Sequence, residues 1–165
     1  MNTIHSKIIQ LETHPVDISL RIGSEDFSEH WFLDNVADYV TEDDNRSDTI
    51  ETLVCVLNAG AHHLETFCDG RGEGIILHEG LKQAYLGQRF RDFDAALRTL
   101  AAKATAEAFC EDKLGLEMYQ LEEIYHAKYG YYIQSDDGLL TLIDFVRTSR
   151  PETKYYFGGT VDYHF

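Results

Sequence analysis

The apolar positions of this chain change period several times, and each change marks an element. Lys7–Glu12 and Asp17–Ile22 predict two short strands; in the second, Ile18, Leu20 and Ile22 alternate with Asp17, Ser19 and Arg21, as on a half-buried ladder. His14-Pro15 separates them, because proline interrupts strand pairing. From Ser24 the period lengthens. Ser24 is placed as an N-cap, with Glu25 and Asp26 complementing the helix dipole behind it. At about 100° per residue, Phe32, Leu33, Val36, Tyr39 and Val40 share one helical face. Phe27, Trp31, Asp34, Asp38 and Glu42 fall on the opposite face, two large aromatics beside acids at i, i+4 and i+8.

A polar loop, Thr41–Ser47, follows. Asp48 and Glu51 then form a capping pair for a second helix through Ile50, Leu53, Leu57, Ala61 and Leu64. The β-branched run around Val54 and Val56 leaves a strand over 52–58 as the alternative. Asp69–Gly74 is a turn-rich break before the short apolar run Ile75–Leu77. Helices are predicted over Glu79–Gln88, Asp92–Lys113 (ended by Gly115) and Leu116–Lys128 (ended by Gly130). Tyr131–Gln134 reads as a strand, and Ser135 caps a last helix through Leu139, Leu142, Ile143 and Val146, halted before Pro151. Tyr155–Phe157 and Thr160–Phe165 read as a hairpin turning at Gly158-Gly159. The expected fold is α+β: a single compact, helix-dominated domain over residues 1–165, with short antiparallel strands near the N- and C-termini.

Charge changes this picture from a fold to a surface. The 165 residues carry 29 acids against 14 bases, a net charge of −15. Glu25–Glu51 alone holds ten acids (Glu25, Asp26, Glu29, Asp34, Asp38, Glu42, Asp43, Asp44, Asp48, Glu51) against Arg46. Such a field repels phosphates, so direct binding to nucleic acid or to an anionic membrane is disfavoured and a basic protein partner is favoured. An apolar fraction of 44% is too high for an acidic disordered chain. Three unpaired cysteines (Cys55, Cys68, Cys110) suit free, core-buried thiols in a reducing compartment. With no continuous apolar leader and no run of membrane-spanning length, the expected location is the cytoplasm.

Candidate chemistry is sparse. His62, His63, Glu65 and Cys68 lie near one another in sequence, and Glu123-x-x-His126 has the spacing of one half of a di-iron site without its second half. Asp43-x-Asn45-x-Ser47 begins like a calcium loop, but Asp48 and Val54 occupy the glycine and glutamate positions. Gly70-x-Gly72-x-Gly74 lacks the lysine of a phosphate loop and is flanked by acids. No cofactor and no metal are expected.

Acids one helical turn apart are about 6 Å apart along the axis, a spacing that can follow a phosphate backbone. The expected partner-binding residues are therefore Phe27, Trp31, Asp34, Asp38, Glu42, Asp43, Asp44 and Asp48, the aromatics supplying the desolvated hot spot that charge alone does not. In its proportions the chain resembles phage or plasmid inhibitors that imitate DNA, such as anti-restriction and anti-CRISPR proteins. That is a likeness of composition and transfers no residue roles. It implies an inhibitor of a basic nucleic-acid-handling protein. An immunity protein or antitoxin that neutralises a basic toxin is the alternative, and a small hydrolase using His62, His63 and Cys68 the third reading. The C-terminal tyrosines (Tyr129, Tyr131, Tyr132, Tyr155, Tyr156, Tyr163) suggest a homodimer surface, with a terminal strand able to pair across two chains.

Overall fold

The last strand of the chain, β7 (Lys154–His164), is the one around which the others assemble. A computed structural model describes residues 5–58 and 63–165. Along one edge β7 pairs antiparallel with β1 (His5–Glu12) over nearly its full length. Its other edge takes β4 (Gly72–Leu77) beside Tyr155 and Tyr156, and β2 (Tyr39–Glu42) beside Val161–His164. β3 (Leu64–Asp69) completes a hairpin with β4, while β5 (Tyr132–Ser135) lies parallel to β1 and β6 (Gly138–Thr141) closes that side. The sheet is mixed and seven-stranded, in the order β3-β4-β7-β1-β5-β6 with β2 alongside β7. α1 (Arg46–Asn58), α2 (Leu81–Lys103), α3 (Ala106–Cys110), α4 (Gly115–His126) and α5 (Leu142–Thr148) complete the described elements. No helix among the described residues is long and apolar enough to cross a membrane.

Both faces of the sheet are covered. Ile9, Leu11, Ile133, Tyr155 and Phe157 pack against Leu53 and Leu57 of α1, Leu81 of α2, and Phe145 and Val146 of α5. Ile8, Tyr132, Val161 and Tyr163 face the other way, against Phe27, Phe32, Val36 and Ala37. Central strands buried on both faces read as continuous apolar runs, which is why β1 and β7 lack clean alternation.

β7 reverses its facing partway along. Tyr155 and Phe157 point to the helical side, whereas Val161 and Tyr163, also at odd positions, point to the other. The reversal is a bulge at Gly158-Gly159, matched by a register shift between Ile9 and Leu11 of β1. The glycines are required by proximity. A Cβ on Gly158 would stand 2.2 Å from Gln10 Oε1, and one on Gly159 would stand 2.2 Å from the carbonyl oxygen of Ile22. Gln10 Oε1 accepts from the backbone N–H of both Gly159 and Ile22, at 3.0 Å each, and its Nε2 donates to Leu20 O at 3.2 Å.

These facts overturn several expectations. The domain is not helix-dominated: 43% of the described residues are helical and 29% strand, a balanced α+β arrangement. Gly158-Gly159 is a bulge inside one strand, so β7 is no hairpin. Nor can β7 extend a second chain's sheet, since it lies inside its own; Tyr132, Tyr155, Tyr156 and Tyr163 are core residues. Asp17–Ile22 contains a 3₁₀ turn at Ile18–Leu20, not a strand. The helix expected from Ser24 stops after a 3₁₀ turn at Ser24–Phe27 and gives way to tight turns leading into β2. A continuous helix would place Phe27 and Phe32 on opposite faces, whereas the turns bring both rings into one core, 6.3 Å apart.

Residues 52–58 are helical, so the strand alternative fails there, while Leu64 is the first residue of β3. The helix expected from Ser135 begins only at Leu142, capped by Thr141, whose Oγ1 accepts from Asp144 N. Asp136-Asp137-Gly138 before it is a β-hairpin turn, with Gly138 at φ +99°. α2 runs unbroken through the gap expected at 89–91 and ends at Lys103.

Gly159→Ala is expected to destabilise the fold by about 1–3 kcal/mol in urea denaturation, because its methyl group meets backbone. Gly115→Ala, which meets nothing within 4 Å at the start of α4, is expected to be neutral or slightly stabilising.

Candidate functional site

The covering segment that delivers Phe27, Phe32 and Val36 to the core leaves Trp31 outside, 54% exposed. Its indole stands edge-on to Phe32 (centroids 5.9 Å apart) and tilted against His30 (5.5 Å). The backbone beneath is pinned: Val36 and Ala37 N–H both donate to Phe32 O, Asp34 N–H donates to Ala37 O, and Asp38 N–H donates to His164 O at 2.8 Å. Asp34 takes φ +67° to make this turn, a conformation that aspartate tolerates better than most residues. An exposed indole on a segment buried on both sides of it is presented in a fixed place.

Two shallow depressions border this segment, and Trp31 itself lines the second. One, about 370 Å³, is bordered by Asp34, Asn35, Asp38, Tyr129 and Phe165, the last two rings stacked 4.7 Å apart. The other, about 380 Å³, runs from Trp31 and Asn35 to Glu122, His126 and Lys128. Phe165, Glu122 and Lys128 carry no signal in the sequence, and Tyr129 and His126 carry none that ties them to Trp31. They lie more than ninety positions from Trp31, and no local pattern links them to it.

The eight expected contact residues fall into three overlapping groups. Trp31, Asp34, Asp38, Glu42, Asp44 and Asp48 are exposed. Phe27, at 2% exposure, is core and cannot meet a partner. Glu42 and Asp43 also hold structure. Glu42 Oε1 accepts from the hydroxyl and the backbone N–H of Ser24, and these bonds hold its carboxyl below the usual range. Asp43 is enclosed. Burial works against its charge, but hydrogen bonds from the Thr49 hydroxyl (2.6 Å), Lys7 Nζ (2.9 Å), the Thr160 hydroxyl (2.8 Å) and Asn45 N–H (3.2 Å) outweigh it and bring the pKa down to about 2. The expected file of acids at i, i+4 and i+8 does not exist. Asp34 and Asp38 lie at one end of β2 and Asp44 and Asp48 beyond the other, with a four-residue strand of about 13 Å between them.

Two further clusters come together only in the fold. His5, Asp162 and His164 converge where β1 and β7 pair: His5 Nδ1 is 3.1 Å and His164 Nε2 3.9 Å from Asp162 Oδ2. Tyr39 stacks on His164 at 4.0 Å, and burial lowers the pKa of that imidazole. The cluster has the residue types of a metal site, but Lys7 Nζ, itself held by Asp43, stands 3.7 Å from the same Asp162 oxygen and supplies the positive charge there. At the other end of β1, Glu12, His14 and Asp136 lie together; burial, reinforced by the Asp136 charge, raises the Glu12 carboxyl and favours its neutral form.

Of the hydrolase constellation, His63 and Cys68 do not come together. His62 lies outside the described residues. His63 and Cys68 are five residues apart along the extended chain of β3, a span of about 16 Å. The three cysteines are exposed, not buried as expected.

Asp43 carries a pH prediction. Its folded-state pKa lies below its value in the unfolded chain, so its contribution is complete above about pH 4 and is lost as the pH falls toward about 2. Asp43→Asn is expected to cost about 2 kcal/mol at neutral pH and to flatten the acid-induced loss, as measured by urea denaturation across that range. No protein-family model, curated protein or solved structure matches the chain.

Proposed function

We propose that this chain is a binding protein that captures and neutralises a basic protein partner, with Trp31 as the hot spot of the contact. The carrying observation is the indole itself, exposed on a backbone fixed by Phe27, Phe32 and Val36 and lining one shallow depression. A rigid exposed tryptophan gains contact area without paying ordering entropy at the interface. Asp34 and Asp38 at the rim, within a net charge of −15, steer a cationic surface toward it.

Of the two partner classes, a basic toxin bound in the manner of an immunity protein is the better supported. Imitation of DNA asks for regularly spaced acids along one element, and the turns at 28–38 remove that element. Lys128, beside Trp31, also interrupts the negative field. The nucleic-acid-handling partner is the second reading, favoured by the overall acidity alone.

The test is capture from the native cell at low salt with elution by a salt step, followed by equilibrium binding with the purified captured protein. Binding is expected to weaken with added salt. Trp31→Ala is expected to lower affinity about thirty-fold or more, as removal of a hot spot does. Asp34→Lys with Asp38→Lys is expected to slow association. Wild-type affinity in both variants would overturn the reading. Competition by duplex DNA would move the assignment to the second partner class.

A further inference from the structure

Beyond Leu81, none of the 23 residues of α2 is buried. Leu81, Tyr85 and Leu86 pack at the sheet core, and from Gly87 onward no residue of the helix is buried, so it extends as an arm whose main partner is α4. The arm is not polar. Leu86, Phe90, Phe93, Leu97 and Leu100 recur at spacings of four, three, four and three, and Leu114, Met118, Leu121 and Tyr125 at four, three and four. This is the a/d repeat of helices that bury a seam against partner helices.

The two seams meet only partly. Phe93 and Leu100 of α2 face Met118, Leu121 and Tyr125 of α4 across an open, largely apolar groove of about 590 Å³, with the Phe93 and Tyr125 rings 5.6 Å apart. Other members of the same repeats stay in solvent: Phe90 is 65% exposed and Leu97 42%. Phe109, Leu116 and Tyr119 are exposed on the same arm. Two helices cannot enclose seams of this width, and an apolar patch this large marks an interaction surface.

We infer that the α2–α4 arm docks on the same arm of a second copy, forming a four-helix bundle about a two-fold axis. Three observations bear on that occupant. The open seams have the spacing that a like seam would fill, so the contact is self-complementary, as two-fold symmetry requires. An arm about 25 Å long on α2 and about 18 Å long on α4, each about 10 Å wide, offers a footprint of about 430 Å², roughly half of the ~800 Å² per partner in a stable interface. Charge also permits it. Residues 81–126 carry eight acids and six bases, so two arms meet near neutrality, whereas the remaining residues carry 21 acids and eight bases and would draw a basic partner elsewhere.

The test is sedimentation velocity and light scattering on the full chain, from low to high micromolar concentration, beside Phe90→Ser and Leu97→Glu. The wild type is expected to have twice the 18.9 kDa chain mass. Each variant is expected to weaken the dimer about thirty-fold or more with unchanged far-ultraviolet circular dichroism. Phe90 is two-thirds exposed in the single chain, so Phe90→Ser separates loss of the dimer from loss of the fold. A wild-type monomer at every concentration overturns the inference, even if the arm is then found to hold a different protein or a lipid vesicle. A dimer that persists with both substitutions also overturns it.

Discussion

The side-chain amide of Gln10 holds together the parts of this fold that sequence distance keeps apart. Its oxygen is shared by the N–H groups of Gly159 and Ile22, and its nitrogen reaches Leu20 O. One buried group therefore fixes the bulge of β7, the register of β1 and the start of the segment that covers the second sheet face. A buried polar group is costly unless its bonds are made, so this arrangement permits few alternatives. The bulge lets one strand serve two cores, with Tyr155 and Phe157 on the helical side and Val161 and Tyr163 on the other. The position of Trp31 follows from it, because the segment carrying the indole is shaped to fill the face that the bulge exposes.

The acids divide between architecture and surface. Asp43 joins β1, β7 and the first turns of α1 by accepting from Lys7, Thr160 and Thr49, and Glu42 ties β2 to the Ser24 turn. Asp43, being enclosed, offers little to a partner. Asp34, Asp38, Glu42, Asp44 and Asp48 remain at the surface, where charge steers association more than it sets affinity. The apolar residues divide in a similar way. Most of those of the sheet, α1 and α5 are enclosed within one chain, whereas those of the distal α2–α4 arm are covered only in part. The acidic, tryptophan-bearing face and the open apolar seam of the arm adjoin on α4, where Glu122 and His126 border both depressions.

Local pattern made several elements legible. β1, α1, most of α2, α4 and β5 follow from periodicity, because each fills a core with one stripe or one short apolar run. The β3–β4 and β5–β6 hairpins are not legible in the local pattern. Gly70-Arg71 and Asp137-Gly138 are turn signals whose flanking strands are short and only partly buried, so the turns stood out and the ladders did not. The misread of Ser24–Val40 has a different cause. Its apolar residues fit a helical stripe, but burying both Phe27 and Phe32 against one sheet face outweighs local propensity.

The amino-acid sequence by itself determined the charge, the acidic and aromatic character of Glu25–Glu51, and the helical repeats along the arm. Each is a property of near neighbours. The tertiary structure alone decided which acids remain available to a partner and that Trp31 is exposed while Phe27 is not. It also brought Tyr129 and Phe165 beside Asp34 and Asp38, and left the arm's seams open. Those outcomes depend on which surfaces compete for the same core, and that competition is settled by contacts between residues far apart in the chain.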